Sequence, residues 1–145
     1  MRLFLDSNIW LRFIMADDPK MFDTCAALFQ SINRGEITPY SSSIVLLEVG
    51  YVLRSVYKIG KLDVISDLET VVTTQGLVLI EKTNFREALI LHKQTGIKLA
   101  DCLIATQIPK GVGLCTYDME FKKLPNLTIV QPSDVIDTAK ESKGI

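Results

Sequence analysis

Short apolar runs alternate along this chain with segments whose apolar residues recur at helical spacing. Leu3-Phe4-Leu5 is the first such run, and a continuous apolar stretch of that length suits a strand buried on both faces. Asp18-Pro19 then supplies an N-cap with proline at the first helical position, before Phe22, Cys25, Ala26, Phe29 and Ile32 mark one helix face and Gly35 ends it. Ile37 to Tyr40 is the second predicted strand. Ser41-Ser42-Ser43 caps a helix with a core face of Val45, Leu46, Val49, Val52, Leu53 and Val56, closed by Gly60.

A further amphipathic helix is expected through Leu62, Ile65, Leu68 and Val72, broken by Gly76. Leu77 to Ile80 is the third strand, followed by a helix around Phe85, Ala88, Leu89 and His92 that stops at Gly96. The run from Leu99 to Ile104 continues helically into Ala105, Gly113 to Cys115 makes a fourth strand, and Thr128 to Val130 a fifth. Strands alternating with helices predict an α/β fold, a three-layer α/β/α sandwich around a central parallel sheet of about five strands. Residues 1–136 read as one domain, and the polar, charged stretch 137–145 is expected to be a flexible tail.

Composition narrows the class. A chain of 145 residues with 48% hydrophobic content has room for one packed core and no second domain. The 16 basic and 17 acidic residues nearly cancel, so contact with nucleic acid has to come from a local patch. Cys25, Cys102 and Cys115 are odd in number, far apart and not in CxxC spacing, which reads as buried reduced thiols. No apolar stretch reaches the length of a membrane span and no signal-peptide pattern is present, so the expectation is a cytoplasmic protein without membrane contact.

The chemistry lies in the acids. Asp6 follows directly on the first apolar run, and Glu48, Asp101 and Asp118 likewise stand inside or at the end of apolar segments. Desolvating a lone carboxylate costs roughly several kcal/mol, and a shared divalent cation offsets both that cost and the mutual repulsion. In an open parallel sheet, ligands collect outside the carboxyl ends of the strands. Asp6 ends the first strand, Asp118 follows the fourth, and Asp101 lies early enough in its helix to reach back to the same rim. Glu48, one turn into the helix after the second strand, is the fourth candidate.

Four segments carry a family resemblance: Leu5-Asp6-Ser7-Asn8-Ile9-Trp10-Leu11, Ser43-Ile44-Val45-Leu46-Leu47-Glu48, Leu99-Ala100-Asp101-Cys102-Leu103-Ile104-Ala105 and Thr116-Tyr117-Asp118-Met119-Glu120-Phe121. In order, spacing and flanking residues they resemble the signature segments of PIN-domain ribonucleases. The resemblance implies a metal-dependent endoribonuclease, most often the toxin of a VapBC-type toxin–antitoxin pair. It further implies Asp6, Glu48, Asp101 and Asp118 as the acidic catalytic and metal centre, with Asn8 and Thr116 as polar helpers. Homodimerisation and a small antitoxin partner are implied in the same way. The sequence departs from the family pattern at Ile108-Pro109-Lys110-Gly111, an early, proline-marked end to the helix carrying Asp101.

Carboxylate oxygens are hard ligands that suit one or two Mg²⁺ or Mn²⁺ ions, which keep several waters and bind substrate phosphate. The chemistry expected is hydrolysis of a phosphodiester bond in single-stranded or structured RNA. Ser7, Asn8 and Thr116 offer polar groups to orient a carboxylate or a bound water, and Lys98 is the first candidate for a phosphate contact. Each feature also has a plainer reading. A single acid is more often a helix cap or a solvated charge, and Asp118 can cap a short helix beginning at Met119. Glu120 and Asp134 read as surface or cap residues, and His92 as a core-edge residue. Trp10, Phe13 and Ile14 read as core or a dimer face, and Arg54, Lys58 and Lys61 as a solvated basic face. The alternatives at the level of function are a non-catalytic PIN-like binding or assembly module and a stand-alone RNA-processing nuclease. A phosphatase or phosphoacceptor domain is weaker, because Asp6-Ser7-Asn8 lacks a second aspartate and no acid directly precedes Asp6.

Overall fold

The computed structural model describes residues 1–143. Strands β1 (Arg2–Leu5), β2 (Thr38–Ser42), β3 (Val78–Ile80), β4 (Gly113–Cys115) and β5 (Ile129–Val130) form one sheet in the order β3-β2-β1-β4-β5. Every neighbouring pair is parallel. The α-helices, in chain order, are α1 (Ser7–Met15), α2 (Pro19–Asn33), α3 (Ser43–Ser55), α4 (Lys61–Val72), α5 (Phe85–Thr95), α6 (Leu99–Gln107) and α7 (Pro132–Lys143). They sandwich the sheet as an α/β/α fold. From β1 the chain crosses over to β2 on one side, and β4 later returns to the other side of β1. The carboxyl ends of β1 and β4 therefore flank the point where strand order reverses, the usual place for a ligand crevice in such sheets.

Local chemistry explains most boundaries. Asp18 caps α2 through Oδ1, which accepts from the Met21 N–H at 3.1 Å, with Pro19 at the first helical position. Ser42 Oγ accepts from the Val45 N–H and starts α3. Gly96 stops α5 in the left-handed region at φ 72°, where a side chain would be strained. Ile108, held extended because it precedes Pro109, ends α6 at Gln107.

The core is continuous from Leu3, Phe4 and Leu5 through Trp10, Leu28, Ile32, Val45, Leu53, Ile104 and Leu114. Trp10 is buried; its ring lies 5.1 Å from that of Phe29, and its Nε1–H donates to Ser41 Oγ. Cys25, Cys102 and Cys115 are buried free thiols. No helix among the described residues is long and apolar enough to cross a membrane.

Several expectations change. Helix α1 was not foreseen, because residues 9–11 and 13–15 form nearly unbroken apolar runs with no clear period. Helix α4 is rotated from the expected face: Val64 and Val71 are buried, whereas Leu62 is 80% exposed and Ile65 and Val72 are also exposed. On α5 only Ala88 is buried, and Phe85 and Leu89 face outward. His92 is exposed rather than at the core edge, and its Nδ1 contacts the Ile97 carbonyl oxygen. The expected boundary at residue 137 falls inside α7, where the Thr138 hydroxyl donates to the Asp134 carbonyl; residues 144 and 145 of the expected tail lie outside the described residues.

Candidate functional site

Asp6 is the residue at which β1 becomes α1. Its N–H donates to the Cys115 carbonyl at 3.1 Å, tying it to β4, and its Oδ1 accepts from the Ser7 N–H at 2.8 Å as the cap of α1. Its other oxygen, Oδ2, accepts from the Thr116 hydroxyl at 2.8 Å and from Asn8 Nδ2 at 3.1 Å. Thr116 is fully buried just past β4, and its Oγ1 in turn accepts from the Asp118 N–H at 3.0 Å. Asn8 closes the circuit, since its Oδ1 accepts from the Tyr117 N–H at 3.1 Å and its Nδ2 reaches Thr116 Oγ1 at 3.2 Å. The strand-end segment bearing Asp118 is thereby held against the first turn of α1. Asp118 also caps the short 3₁₀ helix Met119–Lys123 through Oδ1 and the Glu120 N–H, so the cap role coexists with a place at the rim.

Asp101 lies in the first turn of α6, and only 5% of the residue is exposed. Its Oδ2 stands 4.0 Å from the ammonium of Lys98, one turn earlier. Glu48 is half-buried on α3, and its Oε2 is a buried oxygen without a hydrogen-bond partner. Such an atom is costly in a native fold and calls for an explanation.

The acids act on one another electrostatically. Burial pushes the Asp6 carboxyl up to about 6, against hydrogen bonds from Thr116 and Ser7 that pull it down, while the charges of Glu48 and Asp118 push it further up. Burial likewise pushes Asp101 up to about 7; Lys98 lowers it, and the charges of Asp6, Glu48 and Asp118 raise it. Glu48 is thus within electrostatic reach of both buried aspartates, as a four-acid centre requires. Among the described residues, no three such side chains are drawn up tightly enough to hold an ion as they stand.

The donor set nonetheless fits a hard divalent cation. Glu48 Oε2 has no donor, Asp101 has only a distant ammonium, and burial, with the neighbouring acids, pushes the carboxyls of both buried aspartates up. One cation would remedy all of these at once.

Ser7 contributes its backbone N–H to Asp6, whereas the sequence had suggested its hydroxyl. Lys98 is exposed at the rim, where a phosphate contact was expected. The part of Tyr117 was not foreseen: besides its N–H bond to Asn8, its hydroxyl lies 3.5 Å from Cys25 Sγ, fastening the strand-end segment to α2. No sequence signal distinguishes that tyrosine from an ordinary core aromatic. Gln131 N–H caps onto Asp134 Oδ2 and Glu120 pairs with Lys123, in line with their plain readings.

Comparison with known proteins follows the same lines. The chain is similar to a chain of the crystal structure of VapBC2 from Rickettsia felis bound to a DNA fragment from their promoter, with 26% identity and a TM-score of 0.65 over 90% of this chain and 98% of that one. It is similar in fold to PAE2754 from Pyrobaculum aerophilum, with 17% identity and a TM-score of 0.64 over 97% of this chain and 90% of that one. Among curated proteins no match was found. The family model for the PIN domain matches residues 3–127, which takes in all four acids and every strand that carries one or leads to one. The chain belongs to the PIN domain family.

Proposed function

We propose that this protein is a divalent-metal-dependent endoribonuclease, the toxin half of a VapBC-type pair. The observation that carries the reading is the unpartnered Glu48 Oε2, within electrostatic reach of two buried aspartates whose carboxyls burial and neighbouring negative charge push up. PIN-family membership and the likeness to VapBC2 support it.

Asp6, Glu48, Asp101 and Asp118 would hold Mg²⁺ or Mn²⁺, as one ion or two. The bound metal supplies an activated water and charge stabilisation for in-line displacement at phosphorus. The chain's own residues prepare the place. Thr116 and Asn8 hold Asp6 Oδ2 from one side, which leaves its orientation fixed before any substrate arrives. The Thr116 hydroxyl relays that restraint to the Asp118 backbone, so the carboxylates from β1 and β4 keep a set spacing. Asp101 enters from α6 and Glu48 from α3, so helices from the layers around the sheet complete the crevice. Full ionisation of Asp6 and Asp101 near neutral pH requires the countercharge, which couples ion binding to proton release.

A small antitoxin is the proposed partner, by analogy with VapBC2. The surface that suits it is an almost wholly apolar groove of about 690 Å³ between α3 and α4, lined by Leu46, Leu47, Tyr51, Val64, Leu68 and Val72. Leu47 and Tyr51 are 74% and 70% exposed there, and exposed apolar patches of this kind mark protein contacts. Trp10, read from sequence as core or a dimer face, is core.

The test combines calorimetry with cleavage. Wild type is titrated with Mn²⁺ near neutral pH and assayed on single-stranded RNA, beside Asp6→Asn and Asp101→Asn. Mn²⁺ binding and cleavage by wild type, both weakened in the variants, are expected. Wild-type cleavage rates in both variants would refute the catalytic assignment, and absence of Mn²⁺ binding would leave a non-catalytic PIN-like module.

A further inference from the structure

Lys98 is the one lysine, arginine or histidine among the described residues that pairs with any of the four acids. Its two ends differ sharply. The backbone is pinned: Gly96 turns the chain in the left-handed region, Ile97 is buried, and the Lys98 carbonyl accepts from the Cys102 N–H at 3.0 Å. The Ile97 carbonyl is contacted by both His92 Nδ1 and Cys102 Sγ. The side chain is free, with 74% exposure against 7% for the Asp101 side chain it faces. At 4.0 Å its ammonium is near enough to oppose the negative charge of Asp101 without a close hydrogen bond to hold it there.

We infer that Lys98 is a displaceable countercharge, which offsets Asp101 in the ion-free protein and passes to a phosphate of the RNA when a divalent cation takes the carboxylate. This rests on the nuclease reading above. An ammonium and a divalent cation compete for Asp101, because each raises the cost of the other's approach. A freed lysine at the crevice rim is then a point charge on a flexible stem, suited to a phosphate. No bond is made or broken in the exchange. The site thus keeps partial neutrality when empty and gains a substrate-binding cation when loaded.

The test compares Lys98→Met and Lys98→Arg with wild type. Calorimetry with Mn²⁺ alone, without RNA, is expected to show about two- to fivefold tighter binding in Lys98→Met, the range of a single exposed charge pair. Lys98→Arg keeps the charge and is expected to stay nearer to wild type. With a short single-stranded oligoribonucleotide, Lys98→Met is expected to raise KM and to lower the salt dependence of kcat/KM by about 0.7 in log–log slope, one phosphate contact's share. Unchanged or weaker Mn²⁺ binding in Lys98→Met overturns the inference, since a merely structural lysine would not strengthen metal binding on removal. Tighter Mn²⁺ binding with an unchanged salt slope overturns the transfer to phosphate. If wild type itself fails to bind Mn²⁺, the nuclease reading falls, an outcome distinct from a silent Lys98→Met in a wild type that binds.

Discussion

Replacing Asp101 with asparagine should make the ion-free protein more stable. The Asp101 carboxyl is raised from 3.8 to about 7 in the fold, and between those values the folded state holds a proton that the unfolded chain has released. Stability therefore falls as pH rises through that window and levels off above it. A group wholly cut off from water with such a difference would cost the fold ~4 kcal/mol at pH 8. The Asp101 side chain keeps a small exposure of 7%, so the full figure is an upper bound and about 2–3 kcal/mol is taken for it. An asparagine amide without partners takes back about 1 kcal/mol, leaving a net gain of about 1–2 kcal/mol for Asp101→Asn. The assay is urea unfolding in EDTA across the pH range, with the two proteins compared at each point. The variant's advantage should open above about pH 4, grow toward pH 7 and stay level beyond. Added Mn²⁺ should narrow or reverse it, because binding to the folded state stabilises wild type more. If Asp101→Asn is less stable than wild type in EDTA at pH 8, the claim that burial of the Asp101 charge outweighs its pairing with Lys98 is wrong.

Thr116→Val keeps the shape of a fully buried residue but removes the hydroxyl between Asp6 and the Asp118 N–H; unfolding in urea should show a loss of about 1–3 kcal/mol, and an unchanged midpoint would mean the network carries no energy. Mn²⁺ affinity should fall as pH drops from 8 to 5, because protons compete at Asp101 near 7 and at Asp6 near 6; calorimetry in buffers of different ionisation enthalpy should detect the released protons, and none would contradict the coupling. Trp10→Ala opens a cavity against Phe29 and removes the donor to Ser41, at a cost of about 3–5 kcal/mol by thermal or denaturant unfolding. Leu47→Glu, at a position 74% exposed, should change stability by less than about 0.5 kcal/mol yet abolish co-purification with an antitoxin; retained binding would place the partner elsewhere.

The four acids stood out in the sequence because ionisable residues in or beside apolar segments contradict their surroundings; in the fold Asp6 and Asp118 follow β1 and β4, while Glu48 and Asp101 lie on α3 and α6. Helix faces were harder. On α4 two stripes overlap, Leu62, Ile65, Leu68 and Val72 against Val64, Leu68 and Val71, and periodicity alone does not choose between them. The choice is made by α3: Gly50 leaves room for α4, since a Cβ there would stand 3.4 Å from Leu68 Cδ1, and that approach turns Leu62 and Val72 outward. Helix α1 was hidden because Ile9 to Leu11 reads as a strand as readily as a helix. Its start depends on Asp6, whose cap of the Ser7 N–H is indistinguishable in sequence from a metal-ligand role. The Asn8–Tyr117 bond joins residues 109 apart, and no local pattern encodes such a partnership.

That separation bears on how the protein is made. Asp6 sits at the end of β1, but its hydroxyl partner Thr116 and the neighbouring Asp118 follow β4, and β4 pairs directly with β1. During synthesis the first strand must therefore wait for most of the chain before its second neighbour arrives. Until then Asp6 lacks the bond from Thr116, and Asp118 does not yet exist. A nascent or truncated chain ending before β4 would carry three of the four carboxylates, Asp6, Glu48 and Asp101, but neither Asp118 nor the strand that ties Asp6 to Thr116. For the nuclease proposed above, the topology delays the hazard until the polypeptide is nearly complete.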